Sequence, residues 1–581
     1  MNSETIINHN WLFRMDHEGQ GLGLKWFRPD LDASAWIPVT LPHAFDDPPL
    51  QIPGAEGHGW YRLDLDDVPA RANERWVLRF EQVNYCADVW VNGEKVGCHA
   101  HGGYTPFEID ITAALDPEIP RQTIVVRADN LRSKERCPEK VLAWRNKGGI
   151  LRHVVLIKSG PTRIESVGLH DAGTGRGPIR VAVSARVRGK GSLSLRLIGP
   201  FVGGKAAGKQ ICLEADVDES GAAELELPGR CRWSPEKPQL FKATFELRRG
   251  NRLVQRKIVT TGFRVVAARG NRFLVNGRRC WVNCINYLFD DAERGMIGNP
   301  AKTAADLHRI KALGADTIRS HIPMPQYVYD RCDELGLMVW HDIPLYWWHN
   351  RDGLAWGVSQ MASFDAMRPQ IAELVNYDYN HPSVVMRIMG NECGFYDDAS
   401  QSAMRSICEE SRRLDPTRLT AICAYVQQDE GVDLSVDAIL CNFYRDHKTK
   451  TISALPREVR PTTERLQKVA ALFPDKPIFV SEVGFEGIAH LHGETYHTEE
   501  FQAAAFTEYW EQLTGTGLLS GFAFWCWADY RYIEAKPWAE AFRTSSPTLG
   551  CWGLVTEDRR YVKLSYEAVR DCFAAAPGRR K

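Results

Sequence analysis

The chain has no run of about 18 apolar residues, so no helix is expected to cross a membrane. Met1 to His17 is polar, with His9 and Asp16 inside it, and lacks the apolar stretch of a signal peptide. A cytoplasmic location is the expectation. No long block of one charge occurs, and lysine plus arginine (72) balances aspartate plus glutamate (73) to a net charge of −1. Nucleic acid and anionic membrane are therefore not expected as main partners. Paired cysteines are also lacking. Fifteen are scattered along the chain, an odd number. Cys280 and Cys284 are spaced C-x3-C, but no second pair or histidine cluster completes a zinc pattern. Most are read as buried thiols that pack as small hydrophobes. No compact carboxylate cluster has the spacing of a Mg2+ site.

What is present is a chain of 581 residues, 44% hydrophobic and 25% charged, ample for several cores. Aromatics are frequent, with 18 Trp, 18 Tyr and 23 Phe. They suit either β-sandwich cores or the stacking faces on which sugars bind.

Three regions follow from the periodicity. Residues 1–160 read as a jelly-roll β-sandwich: Trp76–Phe80 and Thr123–Arg127 are short strands, and Asp88–Val96 is a hairpin turning at Asn92-Gly93. Residues 161–266 continue with strict alternation in Ile179–Val187, Ser192–Leu197 and Ala243–Leu247, as expected of an immunoglobulin-like sandwich, with Gly203–Gly208 as a loop. In residues 267–581 the period changes. Strands are expected at Cys280–Ile285, Asp316–Arg319, Leu337–His341, Val384–Met389, Leu419–Cys423, Ala438–Asn442, Pro477–Val480 and Gly521–Trp525. Most of them alternate with helices, the first beginning at Thr303 with Thr303 and Asp306 as its capping box. Eight strands in this alternation indicate a (β/α)8 barrel.

Barrel enzymes carry their chemistry at the C-terminal ends of the strands. Arg319 and His321 follow the second, Asp342 and Tyr346 to His349 the third, Asn391 and Glu392 the fourth, Asn442 and Tyr444 the sixth, Glu482 the seventh, Trp525 the eighth. Two glutamates facing each other across one mouth are what glycosidic cleavage requires. One protonates the leaving oxygen, and the other attacks the anomeric carbon.

The residues around both positions resemble glycoside hydrolase family 2, which includes β-galactosidases, β-glucuronidases and β-mannosidases. Asn380-His381-Pro382-Ser383 through Gly390-Asn391-Glu392 resembles its acid/base segment, with Arg387 where the family usually has Trp. Lys476-Pro477-Ile478-Phe479-Val480-Ser481-Glu482 resembles its nucleophile segment, and Gly314 to Pro323 its second-strand motif. Trp90-Val91-Asn92-Gly93, Gly148 to Arg152, Trp233 to Pro238 and Gly262-Phe263-Arg264 extend the likeness through the upstream regions.

The resemblance implies Glu392 as acid/base, Glu482 as nucleophile, Asn391 on the sugar 2-hydroxyl, and Tyr444 and Arg319 on the nucleophile. It also implies Trp525 beneath the ring, Asn442 in the same segment as Tyr444, and His321 near a hydroxyl. Trp144 and Arg145 are expected to reach the pocket from the first domain. Trp347 and Trp348 are read either as flanking the leaving group or as core. The substrate is a carbohydrate, no cofactor is required, Mg2+ is optional, and a homo-oligomer is left open.

A retaining exo-β-glycosidase is the reading, with a β-galactoside as first choice. The family's glucuronidases hold the substrate carboxylate with an Asn-x-Lys pair, and Gly550 and Trp552 stand there instead. The alternative is a β-uronidase that grips its carboxylate otherwise. His349, Arg351, Arg445, His447, Lys448, His490 and His492 are the basic residues near the mouth, read as solvated loop charge or as that grip. A non-catalytic carbohydrate-binding protein and an endo-acting mannanase-like enzyme are the other readings.

Overall fold

The computed structural model describes residues 2–45, 55–66, 68, 73–138, 146–350, 359–444, 451–531, 546 and 548–578. Trp144, Arg145, Arg351, Arg445, His447 and Lys448 lie outside them.

The N-terminal region packs a four-stranded sheet containing Ser3–Ile6, Arg75–Phe80, Phe107–Asp110 and Val154–Ser159 against a six-stranded one built around His58–Asp66 and Arg121–Asp129. The period of two in its central strands sorts side chains between two apolar layers. Tyr61, Val89, Val91, Ile124 and Val126 enter the core between the sheets. Their neighbours Trp60, Trp90 and Val125 turn outward to meet Trp26 and Trp36. Much of the tryptophan content of this region is thus packing. Asn92 and Gly93 both take positive φ (50° and 86°), the geometry of a tight hairpin turn between Cys86–Val91 and Glu94–His99.

The middle region is a second sandwich. Arg163–Asp171, Ile179–Arg188 and Ala222–Leu227 face a four-stranded sheet of Lys205–Val217, Ser192–Val202, Leu240–Arg249 and Arg252–Thr261. The expected glycine loop is shorter than read. Gly203 and Gly204 make the turn, and Gly208 already belongs to the strand Lys205–Val217.

The C-terminal region is a closed parallel barrel of eight strands: β1 (Val282–Asn286), β2 (Thr317–Ser320), β3 (Met338–Asp342), β4 (Val384–Cys393), β5 (Leu419–Ala424), β6 (Ala438–Phe443), β7 (Ile478–Val483) and β8 (Leu519–Phe524). Helices α1 (Pro300–Ala312), α2 (Gln326–Leu335), α3 (Ala362–Asp378), α4 (Asp398–Leu414), α5 (Tyr425–Glu430), α6 (Leu455–Leu472) and α7 (Glu499–Gly515) connect the strands, and α8 (Leu564–Ala574) follows β8. Helix α1 starts before the expected capping box. Asn299 is its cap, accepting from the amides of Ala301 and Lys302, and Pro300 occupies the first turn where its missing N–H costs nothing. Asp306 instead takes an ion pair from Arg559 at 3.1 Å.

Arg387, the departure noted in the fourth-strand motif, is buried at the start of this barrel wall. It pairs with Asp378 and, at 2.8 Å, with Asp415. Arg418 also holds Asp415 (3.0 Å), and Arg264 at the exit of the middle sandwich donates to the carbonyls of Pro382, Thr417 and Val384. Arg264 ties the sandwich to β4, and Arg387 and Arg418 brace the barrel segments that it meets. The first domain is tied to the barrel by Glu373 of α3, which accepts from His99 (2.9 Å) and Thr105, and by Gln370, which donates to the Cys137 carbonyl at 2.7 Å.

Burial alone would raise the carboxyls of Asp378 and Asp415, but Arg387 and Arg418 outweigh it and hold both below the usual range. The stabilisation from these pairs is complete above about pH 4, where an unfolded aspartate is ionised. It is lost as pH falls below that toward the depressed native values. Arg387→Leu removes the buried guanidinium shared by Asp378 and Asp415, leaving them to His341 and Arg418, and is expected to cost about 3–5 kcal/mol near neutral pH. Urea denaturation of the full chain reads this, and an unchanged midpoint contradicts it.

Candidate active site

The strand ends supply the site. Near its end β4 loses register with β5 between Ile388 and Asn391 and again between Asn391 and Cys393. Such irregularities re-aim a strand's side chains. Glu392 sits there with φ at +53°, a left-handed conformation that costs a non-glycine residue energy. A similar register shift separates Cys441 from Asn442 on β6, opposite Val480 and Glu482 on β7.

Glu482 is buried and held from both sides. Its Oε1 accepts from Arg319 Nη1 at 2.8 Å and lies 3.4 Å from His321 Nε2; its Oε2 accepts from Tyr444 Oη at 2.7 Å. Burial pushes its carboxyl up, but the bonds from His321, Arg319 and Tyr444 outweigh this and bring it below the usual value. Glu482 is therefore an anion near neutral pH.

The surroundings of Glu392 act in the opposite direction. Burial and the charge of Glu482 raise its carboxyl above the usual value, against the pull of Asn442 and Trp347. Asn442 Nδ2 reaches Oε1 at 3.0 Å and Trp347 Nε1 reaches Oε2 at 2.7 Å. Both neighbours are donors. A proton on Glu392 thus finds no acceptor in them and is left for a bound molecule.

Arg319 underlies both carboxylates. Its Nε and Nη2 hold Asp342 at 3.2 and 2.8 Å, and Nη2 also donates to Asn391 Oδ1 at 2.8 Å. Asn391 Oδ1 accepts a second bond from Asn442 at 3.1 Å, so the amide is fixed with its NH2 end directed elsewhere. Asn442 Oδ1 in turn accepts from Ser481 at 2.6 Å. His321 Nδ1 donates to Asp342 at 2.7 Å. Burial and Arg319 lower its imidazole, but Asp342 and Glu482 prevail and raise it above the ordinary value. Trp525 lies 5.1 Å from His321 and edge-on to Tyr530. Trp552, at the position discussed above, is edge-on to Tyr444 at 6.1 Å.

The structure brings together Glu392, Glu482, Asn391, Asn442, Tyr444, Arg319, His321 and Trp525. Asp342 is not among the expected contact residues, yet it holds Arg319; Trp347, read either as flanking the leaving group or as core, holds Glu392. Asp342 ends β3, a position the barrel rule already marks. Trp348 is core, donating to Ser363 at 2.8 Å. His349 is corrected: it is 1% exposed, and burial lowers its imidazole to about 4, so it carries no charge with which to grip a carboxylate. His490 stacks on Tyr561, and His492 pairs with Glu500 at 2.9 Å. Among the described residues, Asp330, Asp333 and His381 are close enough to share a metal, but both His381 nitrogens are engaged, with Asp333 and Gln326.

Comparisons with known proteins agree with this geometry. A model of the TIM barrel domain of glycosyl hydrolases family 2 matches residues 266–538, and a model of that family's sugar binding domain matches residues 23–160. A β-glucuronidase from Paenibacillus borealis is 24% identical over 90% of this chain and 90% of its own. A β-galactosidase from Thermoanaerobacter pseudethanolicus is 26% identical over 70% of this chain and 54% of its own. The aligned chain spans 53% and 39% of the length of two further relatives with glucuronidase names. The solved β-D-glucuronidase of Dictyoglomus thermophilum superposes with a TM-score of 0.83 at 21% identity, over 99% of this chain and 98% of that one.

The coupling between the two glutamates is measurable by carbon-13 NMR of labelled glutamate. Glu392 should titrate above the free range of about 4.3 and Glu482 below it. In Glu482→Gln, Glu392 should titrate at lower pH than in the parent, since a neighbouring charge is gone. An unmoved Glu392 would contradict the coupling.

Proposed function

The chain belongs to family 2 of the glycosyl hydrolases, and from that membership we propose that it is a retaining exo-β-glycosidase whose preferred glycone is a uronic acid. The observation that carries the mechanism is the opposed surroundings of the two glutamates: Arg319, His321 and Tyr444 favour the anion of Glu482, while burial and that anion favour a proton on Glu392. Glu482 attacks the anomeric carbon as the glycosidic C–O bond breaks, and the proton of Glu392 passes to the leaving oxygen. A glycosyl ester on Glu482 results. Glu392, now a carboxylate, takes a proton from water. The oxygen of that water attacks the same carbon, and Glu482 departs as an anion. Two inversions return the starting configuration. Asn391, held by Arg319 and Asn442, offers its NH2 to the 2-hydroxyl. Tyr444 and Arg319 receive the charge of Glu482 when it leaves.

The β-galactoside expected first gives way to the uronide because relatives named β-glucuronidase predominate. A neutral sugar is the second reading. It is favoured by one feature, Trp552 standing where the family's lysine clamp would be, packed with Trp525 and Tyr530. On the uronide reading Arg351, Arg445 and Lys448, which lie outside the described residues, are the remaining candidates in the sequence to meet the carboxylate.

A panel of nitrophenyl β-glucuronide, galacturonide, galactoside, glucoside and mannoside tests the proposal. A uronide should be turned over at least about ten-fold faster than the galactoside; the reverse order would favour the neutral reading. Glu482→Gln should lower turnover roughly 10⁴-fold or more, as loss of a nucleophile does elsewhere. The pH profile of kcat/KM should be bell-shaped. Its rising limb follows ionisation of Glu482, and its falling limb follows loss of the Glu392 proton. Glu392→Gln should remove the falling limb.

A further inference from the structure

Beyond Glu392, three neighbouring segments run side by side past the barrel rim. Tyr346 bridges to Asn391 and His349 to Gly394, both in parallel, and Cys393 pairs with Ala424 at the end of β5. Three rings lie across this strip. The His349 imidazole is near-parallel to Tyr425, with centroids 5.7 Å apart at 10°, and to Tyr396, at 6.4 Å and 16°. Tyr425 directly follows Ala424, the partner of Cys393, and lies near enough to Glu392 to feel its charge. The strip belongs to β3, β4 and β5, whereas Glu482 approaches from β7 across the barrel.

His349 makes an unusual component of such a stack. It is 1% exposed, and among the described residues neither ring nitrogen has a hydrogen-bond partner. A buried donor or acceptor left unmade costs about 1–3 kcal/mol, so such a side chain calls for a reason. Uncharged and unbonded, it offers only its flat face. Its backbone is fixed, with its N–H donating to Ser359 Oγ at 3.1 Å and its carbonyl accepting from the Ser359 N–H at 2.6 Å. Tyr425 is only partly buried, and among the described residues its hydroxyl has no hydrogen-bond partner. One face of its ring is taken by His349.

The leaving oxygen must meet the proton of Glu392 while Glu482 attacks from the other side of the anomeric carbon. The leaving group therefore extends outward from Glu392, along this strip. We infer that Tyr425, backed by His349 and Tyr396, is the platform for the leaving group, and that it takes a ring-shaped aglycone, aryl or sugar, laid with its apolar face on the phenol. The inference rests on the retaining-glycosidase reading.

A comparison of leaving groups on one uronyl donor separates the two. The substrates are the β-fluoride, the 4-methylumbelliferyl glycoside and a disaccharide with the same terminal uronyl group. In Tyr425→Ala, kcat/KM should fall roughly three- to ten-fold on a ring aglycone, the size of one aromatic contact. On the fluoride it should stay within about two-fold of the parent, which also shows that the variant is folded. Hydrolysis of the glycosyl-enzyme, from which the aglycone has gone, should be unchanged. Tyr425→Phe should keep the aryl rate. A fall on only one ring substrate identifies whether aryl or sugar is the occupant. An equal fall on fluoride and ring substrates, or no fall on either ring, overturns the platform. If the parent turns over none of the three, the uronide reading fails, and the same leaving groups on the β-galactosyl donor then decide the platform; no turnover on either donor overturns the glycosidase reading and the platform with it.

Discussion

The site depends on one guanidinium. Arg319 is buried at the end of β2 and makes charge-assisted bonds to Glu482, Asp342 and Asn391 from a single planar group. A lysine in its place could not span three partners in fixed directions. Asp342 supplies the opposite charge that makes burial of Arg319 tolerable, and His321 completes the balance by bonding to Asp342 and approaching Glu482. Two carboxylates, a guanidinium and an imidazole thus form one network beneath the anomeric position. Removing Arg319 leaves two buried carboxylates without the guanidinium they share.

From that balance the asymmetry of the two glutamates follows. Glu482 is surrounded by groups that favour its anion, whereas Glu392 sees that anion, burial and two neutral donors. The barrel supplies these different surroundings because β4 and β7 end on opposite sides of one mouth. The bulged end of β4 then turns Glu392 inward. The upstream domains contribute by docking. Arg264 joins the middle sandwich to the start of β4, and Glu373 and Gln370 fasten the first sandwich to α3.

The barrel was legible because period-two and helical segments alternate, and Glu392 and Glu482 were legible because strand ends are functional positions. The start of α1 was misread because Thr303 and Asp306 satisfy the local capping pattern, while Asn299-Pro300 does so one turn earlier. Asp342 escaped, and the two readings of Trp347 stayed open, because both roles depend on how neighbouring strand ends lean toward each other. No local spacing records that. His349 looks like a mouth cation in sequence; only its surroundings show that it is neutral and stacked. The tryptophan content divides similarly. Trp26, Trp36, Trp60 and Trp90 cover a sheet, and Trp347, Trp525 and Trp552 line the site, with nothing in composition to separate the groups.

The account requires that Glu482 form a covalent bond to the sugar while Glu392 does not. A 2-deoxy-2-fluoro glycosyl fluoride of the preferred sugar slows hydrolysis of the glycosyl-enzyme and allows the labelled protein to be digested and its peptides weighed. The predicted result is one sugar mass added to the peptide containing Glu482, and none added in Glu482→Gln. A label on Glu392 or another carboxylate would contradict it, as would single-step turnover with inverted configuration and no label.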